Sequence, residues 1–171
     1  MLKLVAPEER YLNSYREAFR EYKQRGIASY GFTDASSVNV FEKFANYRSE
    51  TNLSPGRVGA HFFWLVDDEN DYFIGEITVR HRLNEVLERY GGHIGYGVRF
   101  SEWNKGFGTK MLELALREAK KIGLSNVLIT CDDKNIGSAR VMEKNGFVLQ
   151  DKIENRFEDL TLTTRRYWKT L

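Results

Sequence analysis

One segment of the chain, from His93 to Phe147, constrains the fold more than any other. Its pattern predicts a strand, a glycine turn, an amphipathic helix, a second strand and a short helix that ends near Gly146. Because a helix joins the two strands, they are expected to be parallel neighbours. The turn from Trp103 to Gly108 contains two glycines, which let backbone N–H groups come close to a ligand. A helix N-terminus that opens from such a turn binds anions, so the segment indicates a phosphate-bearing ligand.

The bulk composition limits the class of protein. A chain of 171 residues suits one domain with a real core, and 42% hydrophobic residues with two prolines are typical of a globular protein. The net charge of +2 gives no reason to expect a nucleic-acid partner. No apolar run approaches the roughly 20 residues of a membrane span, and we see no apolar signal segment. The single cysteine, Cys131, excludes an internal disulfide and a Cys-rich metal site, so we expect a cytoplasmic protein without a metal.

Periodicity along the chain predicts strands and helices over most of its length. The predicted strands are residues 1–5, 61–66, 72–83, 93–100, 127–131, 147–154 and 161–171, and the last two form an antiparallel pair. The predicted helices are residues 7–26, a segment from about residue 37, 106–122 and 135–145. Residues 27–36 and 84–92 are expected to be irregular, and residues 80–82 to be a solvated strand face. The prediction is a single α/β domain over residues 1–171, with a mixed central sheet of about seven strands and helices on both faces.

Two residue patterns within this frame resemble those of the GNAT N-acetyltransferase superfamily. The first is Trp103-Asn104-Lys105-Gly106-Phe107-Gly108, where the family has Arg or Gln, two residues, Gly, one residue, and Gly or Ala. The second is Asn135, followed three residues later by the small Ser138 and eleven and twelve residues later by Gly146-Phe147. The glycines and the spacing match, but Trp103 stands where Arg or Gln is usual. The resemblance covers most of the chain and is best from residue 61 to 150.

The resemblance implies that the chain binds acetyl-CoA in a gap between strands 93–100 and 127–131, within a cofactor-binding core of about residues 93–147. The pyrophosphate would lie on the backbone N–H groups of residues 104–109, at the positive end of a helix dipole. The pantetheine would pair with the strand edge at residues 98–100 and extend the sheet locally. The residues with an expected cofactor role are Val98, Arg99, Phe100, Trp103, Asn104, Lys105, Gly106, Phe107, Gly108, Thr109, Asn135 and Ser138.

The implied reaction is direct attack of an amine on the thioester. It needs a base for the amine, donors for the oxyanion and a proton for the leaving thiolate. The backbone N–H of Val98 is the candidate donor to the thioester carbonyl. Many family members have a tyrosine acid where this chain has Met142, so Ser138 is the substitute acid. Unassisted departure of the thiolate stays open, because a thiol with a pKa of about 8.5 is a fair leaving group.

Three side chains are candidates for the general base. Glu76 lies on the strand beside the presumed active-site strand, and His93 begins that active-site strand and titrates near neutrality. Tyr96 lies three residues beyond His93 and points to the opposite face of a regular strand. A water chain to bulk solvent is an alternative to all three. Glu76 and His93 also have purely structural interpretations.

Simpler interpretations of the motif residues stay open as well. Gly106 and Gly108 also suit a tight turn without a ligand, Asn135 suits a helix N-cap, and Ser138 suits close helix packing. A dinucleotide-binding fold fits less well, because Met111 occupies the place of its third glycine.

The sequence therefore predicts an acetyltransferase whose acceptor is a primary amine, on a small molecule or at a peptide or protein N-terminus. The acceptor would enter opposite the cofactor, between the first two helices, residues 27–36 and 84–92, and the terminal hairpin. A non-catalytic CoA-binding regulatory module and a transferase of a longer acyl group are the alternatives. Neither a nucleic acid nor a membrane is expected as a partner, and a homodimer is left open.

Overall fold

The strands form two sheets that meet along one side of the molecule. This computed structural model describes residues 1–27, 32–158 and 160–171. Within these ranges the strands are β1 Leu2–Val5, β2 Ala60–Asp67, β3 Tyr72–Arg80, β4 Ile94–Val98, β5 Asn126–Asp132, β6 Val148–Phe157 and β7 Leu160–Thr170. One sheet has the order β1-β2-β3-β4 and the other has the order β5-β7-β6. All the paired strands are antiparallel.

Helices cover both faces of the four-stranded sheet. In the described ranges the α-helices are α1 Leu12–Gln24, α2 Val40–Ser49, α3 Glu85–Arg89, α4 Phe107–Ile122 and α5 Ile136–Lys144. α1 and α2 cover one face, where Tyr15 stacks on Trp64 with 4.7 Å between ring centroids. α4 covers the other face and buries Met111, Leu112 and Ala115 completely. The predicted α/β class, with seven strands and helices on both faces, is confirmed, although the strands are divided between two sheets.

The two sheets are joined at the start of β4. The backbone N–H of His93 donates to the Leu128 carbonyl at 2.7 Å, and the Leu128 N–H donates back to Nδ1 of His93 at 3.0 Å. Further along, the Tyr96 hydroxyl reaches Ser138, which lies beyond the end of β5. The two strands therefore run in the same direction, as the helical crossover predicts, and then diverge. Their divergence leaves a wedge-shaped gap between β4 and β5.

Two local predictions are wrong. Residues 84–92 contain α3, because the Asn84 side chain accepts a hydrogen bond from the Leu87 N–H at 2.9 Å and caps a helical turn. Arg80 is not solvated, since its guanidinium turns inward and donates to the carbonyls of Gly91 and Gly92 at 3.2 and 3.0 Å.

The remaining segments add little to the position of the site. The predicted irregular connection over residues 27–36 falls partly on residues 28–31, which lie outside the described residues. Among the helices that are described, none combines the length and the apolar character needed to cross a bilayer.

Candidate active site

A cleft of about 870 Å³ opens where the gap between β4 and β5 meets the N-termini of α4 and α5. Its walls are the edge of β4, the turn before α4 and the first turns of α5. The crossover places all three at one end of the gap, because α4 begins after β4 and α5 begins after β5. The cleft therefore contains both sequence motifs.

The N-terminus of α4 presents unpaired donors to this cleft. Gly106 caps the helix with a φ of 85°, a left-handed conformation that glycine adopts without strain. Within the described structure, the backbone N–H groups of Phe107, Gly108 and Thr109 have no hydrogen-bond partner. They point out of the positive end of a 16-residue helix. This arrangement can bind a phosphate group.

Basic side chains surround the same helix end. Lys134, Arg140 and Lys144 line the cleft and form no ion pair with any described residue. Lys105, in the turn itself, is paired with Glu102 at 3.0 Å. The helical spacing of residues 140 and 144 places both on one face of α5. The sequence-based prediction included Lys105 but missed these three cations. Their positions just before and within the second motif could have indicated that they lie near a phosphate group.

The edge of β4 that faces the cleft has backbone groups available for a ligand. Glu76 pairs with Gly97, and the Arg99 N–H donates to the Ile74 carbonyl at 2.7 Å, so odd-numbered residues of this segment bond to β3. Tyr96 and Val98 therefore direct their N–H and C=O groups away from β3 and toward the gap.

Trp103 covers one of these backbone groups. Its indole Nε1 donates to the Val98 carbonyl at 2.8 Å, and the Tyr22 hydroxyl donates to the same oxygen. The indole also packs on Phe100, with 4.7 Å between ring centroids, and stays 42% exposed at the cleft mouth. Trp103 thus closes the outer end of the β4 edge and leaves the N–H of Val98 facing the gap.

A hydroxyl pair lies deeper in the cleft. The Tyr96 hydroxyl and Oγ of Ser138 are 2.7 Å apart, and burial raises the pKa of Tyr96 to about 12. Asn135 caps α5 by accepting from the Ser138 N–H at 3.0 Å, so it has the predicted N-cap role and also lines the cleft. Met142 is fully buried in the core one turn beyond Ser138. Tyr96 thus places a phenolic hydroxyl in the cleft, one helical turn away from Met142.

Glu76 lies at a second cavity, of about 660 Å³, on the face of the sheet that α1 and α2 cover. Its side chain is 3% exposed and accepts a hydrogen bond from Nε1 of Trp64 at 2.9 Å. Burial raises the pKa of Glu76 to about 8, although hydrogen bonds from Trp64 and Tyr15 and the charge of Lys43 act in the opposite direction. The pKa of Glu76 therefore lies closer to neutral pH than that of an ordinary glutamate.

The two cavities share β4 as a wall. Gly95 lines the second cavity and Gly97 lines the cleft. Gly97 is the partner of Glu76 across the strands, so its backbone lies between the Glu76 backbone and the cleft, one strand spacing of about 4.8 Å from Glu76. A buried carboxyl with a raised pKa thus lies one strand away from the cleft at the N-terminus of α4.

Comparison with known families agrees with this geometry. The model of the acetyltransferase (GNAT) domain matches residues 3–148, which is most of the chain. The chain belongs to the GNAT acetyltransferase family. The predicted family and the predicted enzyme class, an acyltransferase, are therefore confirmed. A comparison with curated protein sequences gave no significant match.

Solved structures of GNAT acetyltransferases share the fold over nearly the whole chain. The microcin C7 self-immunity acetyltransferase MccE, in complex with acetyl-CoA and AMP, has a TM-score of 0.73 at 16% identity, covering 99% of this chain and 92% of that one. RimL, the ribosomal L7/L12 α-N-protein acetyltransferase, in complex with coenzyme A, has a TM-score of 0.71 at 13% identity and coverages of 99% and 94%. The ribosomal-protein-S5-alanine acetyltransferase from Vibrio fischeri has a TM-score of 0.69 at 17% identity and coverages of 99% and 91%. At these identities the likeness shows the fold.

The GNAT fold brings together most of the residues with an expected cofactor role. Three of them, Arg99, Phe100 and Lys105, do not line the cleft. β4 ends at Val98, and the chain then enters a 3-10 turn, Phe100–Glu102. The Arg99 guanidinium is turned to α1, where it donates to Glu21 at 2.6 Å. The Arg99 N–H is used by β3, so it is not free to pair with pantetheine.

His93 has a structural position in this acetyltransferase. Its Nδ1 accepts the Leu128 N–H, and burial lowers its pKa to about 4, so the ring stays neutral at physiological pH. It lines a separate groove with Trp168 and does not reach the cleft. Cys131 is buried in the core, and burial raises its pKa to about 11, which leaves it a thiol rather than a nucleophilic thiolate.

Proposed function

We propose that this protein transfers an acetyl group from acetyl-CoA to an amine, which attacks the thioester directly. One observation carries the proposal: a cleft at the N-terminus of α4 and a buried carboxyl, Glu76, lie on opposite sides of the single strand β4. Membership of the acetyltransferase family supports the reaction class. Fold relatives that were solved with acetyl-CoA or coenzyme A support the choice of co-substrate.

The residues of the cleft fit acetyl-CoA. Its phosphates would accept hydrogen bonds from the three free N–H groups of the α4 N-terminus and from Lys134, Arg140 and Lys144. Its pantetheine arm would lie in the gap and pair with the backbone of Tyr96 and Val98, as an added strand pairs with a sheet edge. The thioester would then lie deep in the gap, near the Tyr96 hydroxyl.

Glu76 is our proposed general base. An amine must lose a proton to attack, and a carboxyl with a pKa of about 8 is a stronger base than an ordinary glutamate. The ionised fraction of Glu76, which is able to accept that proton, grows as the pH rises toward about 8. We do not propose His93 as a base, because its Nδ1 already accepts a hydrogen bond from Leu128.

Tyr96 is our proposed donor to the departing sulfur, with Ser138 as its hydrogen-bonded partner. The raised pKa keeps the Tyr96 hydroxyl protonated throughout the working pH range, so it is always available as a donor. When the C–S bond breaks, the electron pair stays on sulfur, and a hydrogen bond from Tyr96 stabilises the thiolate until solvent protonates it. The Val98 N–H is the proposed donor to the thioester oxygen.

Replacing Tyr96 with Phe is expected to lower kcat by about tenfold to a hundredfold, the cost of one hydrogen bond to a charged group. The affinity for acetyl-CoA should be unchanged, because the hydroxyl acts on the departing thiolate and not on the bound thioester. Thiol release gives kcat, and calorimetric titration gives the affinity. Tyr11→Phe is the matched control, since it removes a buried tyrosine's hydrogen bond to Asp68 far from the cleft. An unchanged kcat in Tyr96→Phe would remove this residue from the mechanism.

The function itself is tested by titrating acetyl-CoA and coenzyme A into the protein and then measuring thiol release with a panel of amines and peptides. Binding in the micromolar range with thiol release on an amine would support the transferase. Binding without release on any acceptor would favour a non-catalytic CoA-binding module. No binding would contradict the proposed co-substrate site. A panel of acyl-CoA thioesters of increasing length tests for a longer acyl group.

A further inference from the structure

The cavity beside Glu76 has an excess of positive charge. Three cationic side chains line it: Lys43 from α2, Arg57 from the loop before β2, and Arg80 from the end of β3. Among the described residues that line the cavity, Glu76 is the one carboxylate. Since the pKa of Glu76 is raised to about 8, this carboxyl is largely neutral at pH 7 and offsets little of the charge.

No ion pair neutralises these three cations within the described part of the chain. Lys43 donates to Oγ1 of Thr33 at 2.7 Å. Arg80 donates to two backbone carbonyls through one nitrogen. The Arg57 side chain makes no hydrogen bond with any residue that the structure describes. Each therefore keeps N–H donors for a ligand.

Two arginines just beyond the ends of β3 and β4 are paired with carboxylates. Arg82 forms an ion pair with Glu50 at 2.6 Å, and Arg99 forms one with Glu21 at 2.6 Å. The three cations of the cavity have no such carboxylate partner among the described residues. The charge of Arg57 lowers the pKa of both Lys43 and Arg80, after the larger effect of burial, which means that the three charges converge on one space.

The position of the Arg80 guanidinium sets a distance from Glu76. A Cβ on Gly95 would lie 3.5 Å from one Arg80 nitrogen, and Gly95 pairs with Thr78 across the strands. The guanidinium therefore lies beside Gly95 of β4. Gly95 and Gly97, the strand partner of Glu76, are two residues apart, or about 7 Å along β4. A small molecule with an amine and an acid a few bonds apart spans this distance.

We infer that the acceptor is a small amine that also carries an acidic group, either a carboxylate or a phosphonate or phosphate. The amine lies beside Glu76 over β4, and the acidic group lies between Arg57 and Arg80. This inference rests on the proposed function, because it assigns the second cavity to the acceptor. A cavity of about 660 Å³ is in the range of small-molecule sites.

Matched acceptors test the inference. 4-Aminobutyrate and 4-aminobutanamide differ by one carboxylate at nearly constant size, and 2-aminoethylphosphonate and ethanolamine differ by a phosphonate. The member with the extra acid should have a kcat/KM about tenfold to a hundredfold higher, because a hydrogen bond to a charged group contributes that much. The pair with the larger ratio distinguishes a carboxylate from a phosphorus acid. Equal or higher values for the neutral members of both pairs would overturn the inference.

A substitution links the preference to the cavity. Arg57→Gln should reduce the ratio of kcat/KM between the acidic and neutral members by about tenfold. The matched control is Arg48→Gln, which removes the same charge from α2 on a surface that faces a different groove. A ratio that is equal in Arg57→Gln and in the wild type would contradict the assignment of this cavity.

A binding measurement separates failure of the inference from failure of the proposed function. Calorimetric titration of 2-aminoethylphosphonate, of 4-aminobutyrate and of ethanolamine into the protein needs no turnover. Binding of either acid that is weakened in Arg57→Gln would support the inference even if no thiol is released. Absence of binding for both acids at millimolar concentration, while acetyl-CoA binds, would overturn the inference and leave the proposed function intact.

Discussion

Replacing Glu76 with Gln should lower kcat/KM by about a hundredfold to ten-thousandfold above pH 8, the usual contribution of a general base. The wild-type rate should rise with pH up to about 8, because Glu76 must lose its proton before it can accept one from the amine. The variant should lack this rise, and the loss should therefore be largest at high pH. Gln has the same shape and can still accept the Trp64 indole N–H, so the fold should persist. The measurement is thiol release from pH 6 to 9.5 in both proteins.

The same substitution should make the protein more stable at alkaline pH. The folded-state pKa of Glu76, about 8, lies above its ordinary value of 4.5. Between these values the folded state binds a proton that the unfolded state has lost, so the free energy of unfolding falls as the pH rises from about 4.5 to 8. Gln carries no charge and avoids this loss. At pH 9 the melting temperature of Glu76→Gln should therefore exceed that of the wild type, whereas at pH 4.5 the two should be close.

Opposite changes in activity and stability distinguish a base from a structural residue. Glu42→Gln is the matched control, since Glu42 is an exposed residue of α2 that lines neither cavity. It should change neither measurement. A pH–rate profile that is the same in Glu76→Gln and in the wild type would exclude Glu76 and leave a water chain as the route for the proton.

The second large effect is expected from Gly108→Trp, which should weaken acetyl-CoA binding by about a hundredfold or more, equivalent to about 3 kcal/mol. A Cβ built on Gly108 lies 3.3 Å from Val141 and 3.7 Å from Val98, so a side chain there points between α5 and β4. An indole in this position would fill the cleft and cover the free N–H groups of the α4 N-terminus. Calorimetric titration of acetyl-CoA measures the loss.

Gly108→Ala is the control for this effect. Its single methyl group requires Val141 to move by only a few tenths of an ångström, and alanine is a better helix former than glycine. Its affinity for acetyl-CoA should stay close to that of the wild type. Circular dichroism and thermal melting establish that both variants are folded. A folded Gly108→Trp variant with wild-type affinity would mean that the co-substrate binds elsewhere.

Local signals explain why the segment from His93 to Phe147 could be predicted from the sequence. The turn glycines, the Asn135 N-cap and the Gly123 C-cap, with its φ of 103°, act over a few residues and specify where helices begin and end. The division into two sheets could not be predicted in this way. It depends on where β4 and β5 diverge, just beyond the two hydrogen bonds that join the backbone and ring of His93 to Leu128.

The candidate site shows the same limit. Strand alternation correctly separates Tyr96 from His93, but the 2.7 Å contact between Tyr96 and Ser138 depends on how α5 packs against β4. Likewise, the sequence places Arg80 in a charged run that is typical of a surface. In the structure its guanidinium points inward and donates to the backbone carbonyls of Gly91 and Gly92. Distances of this kind arise from contacts between segments that are far apart in the sequence.

The wedge between β4 and β5 has a consequence for the protein before it meets a ligand. An unpaired strand edge is a template for any other extended chain, and it is a common starting point for aggregation. Here the exposed stretch is only the few residues between the His93 contact and Val98, and Trp103 and Tyr22 already occupy the Val98 carbonyl at its open end. Because this carbonyl is already bonded, another extended chain cannot form a hydrogen bond with it at the open end of the edge. The two aromatic side chains therefore protect the edge against pairing with a foreign strand, while the gap itself stays open to a narrow, flexible ligand.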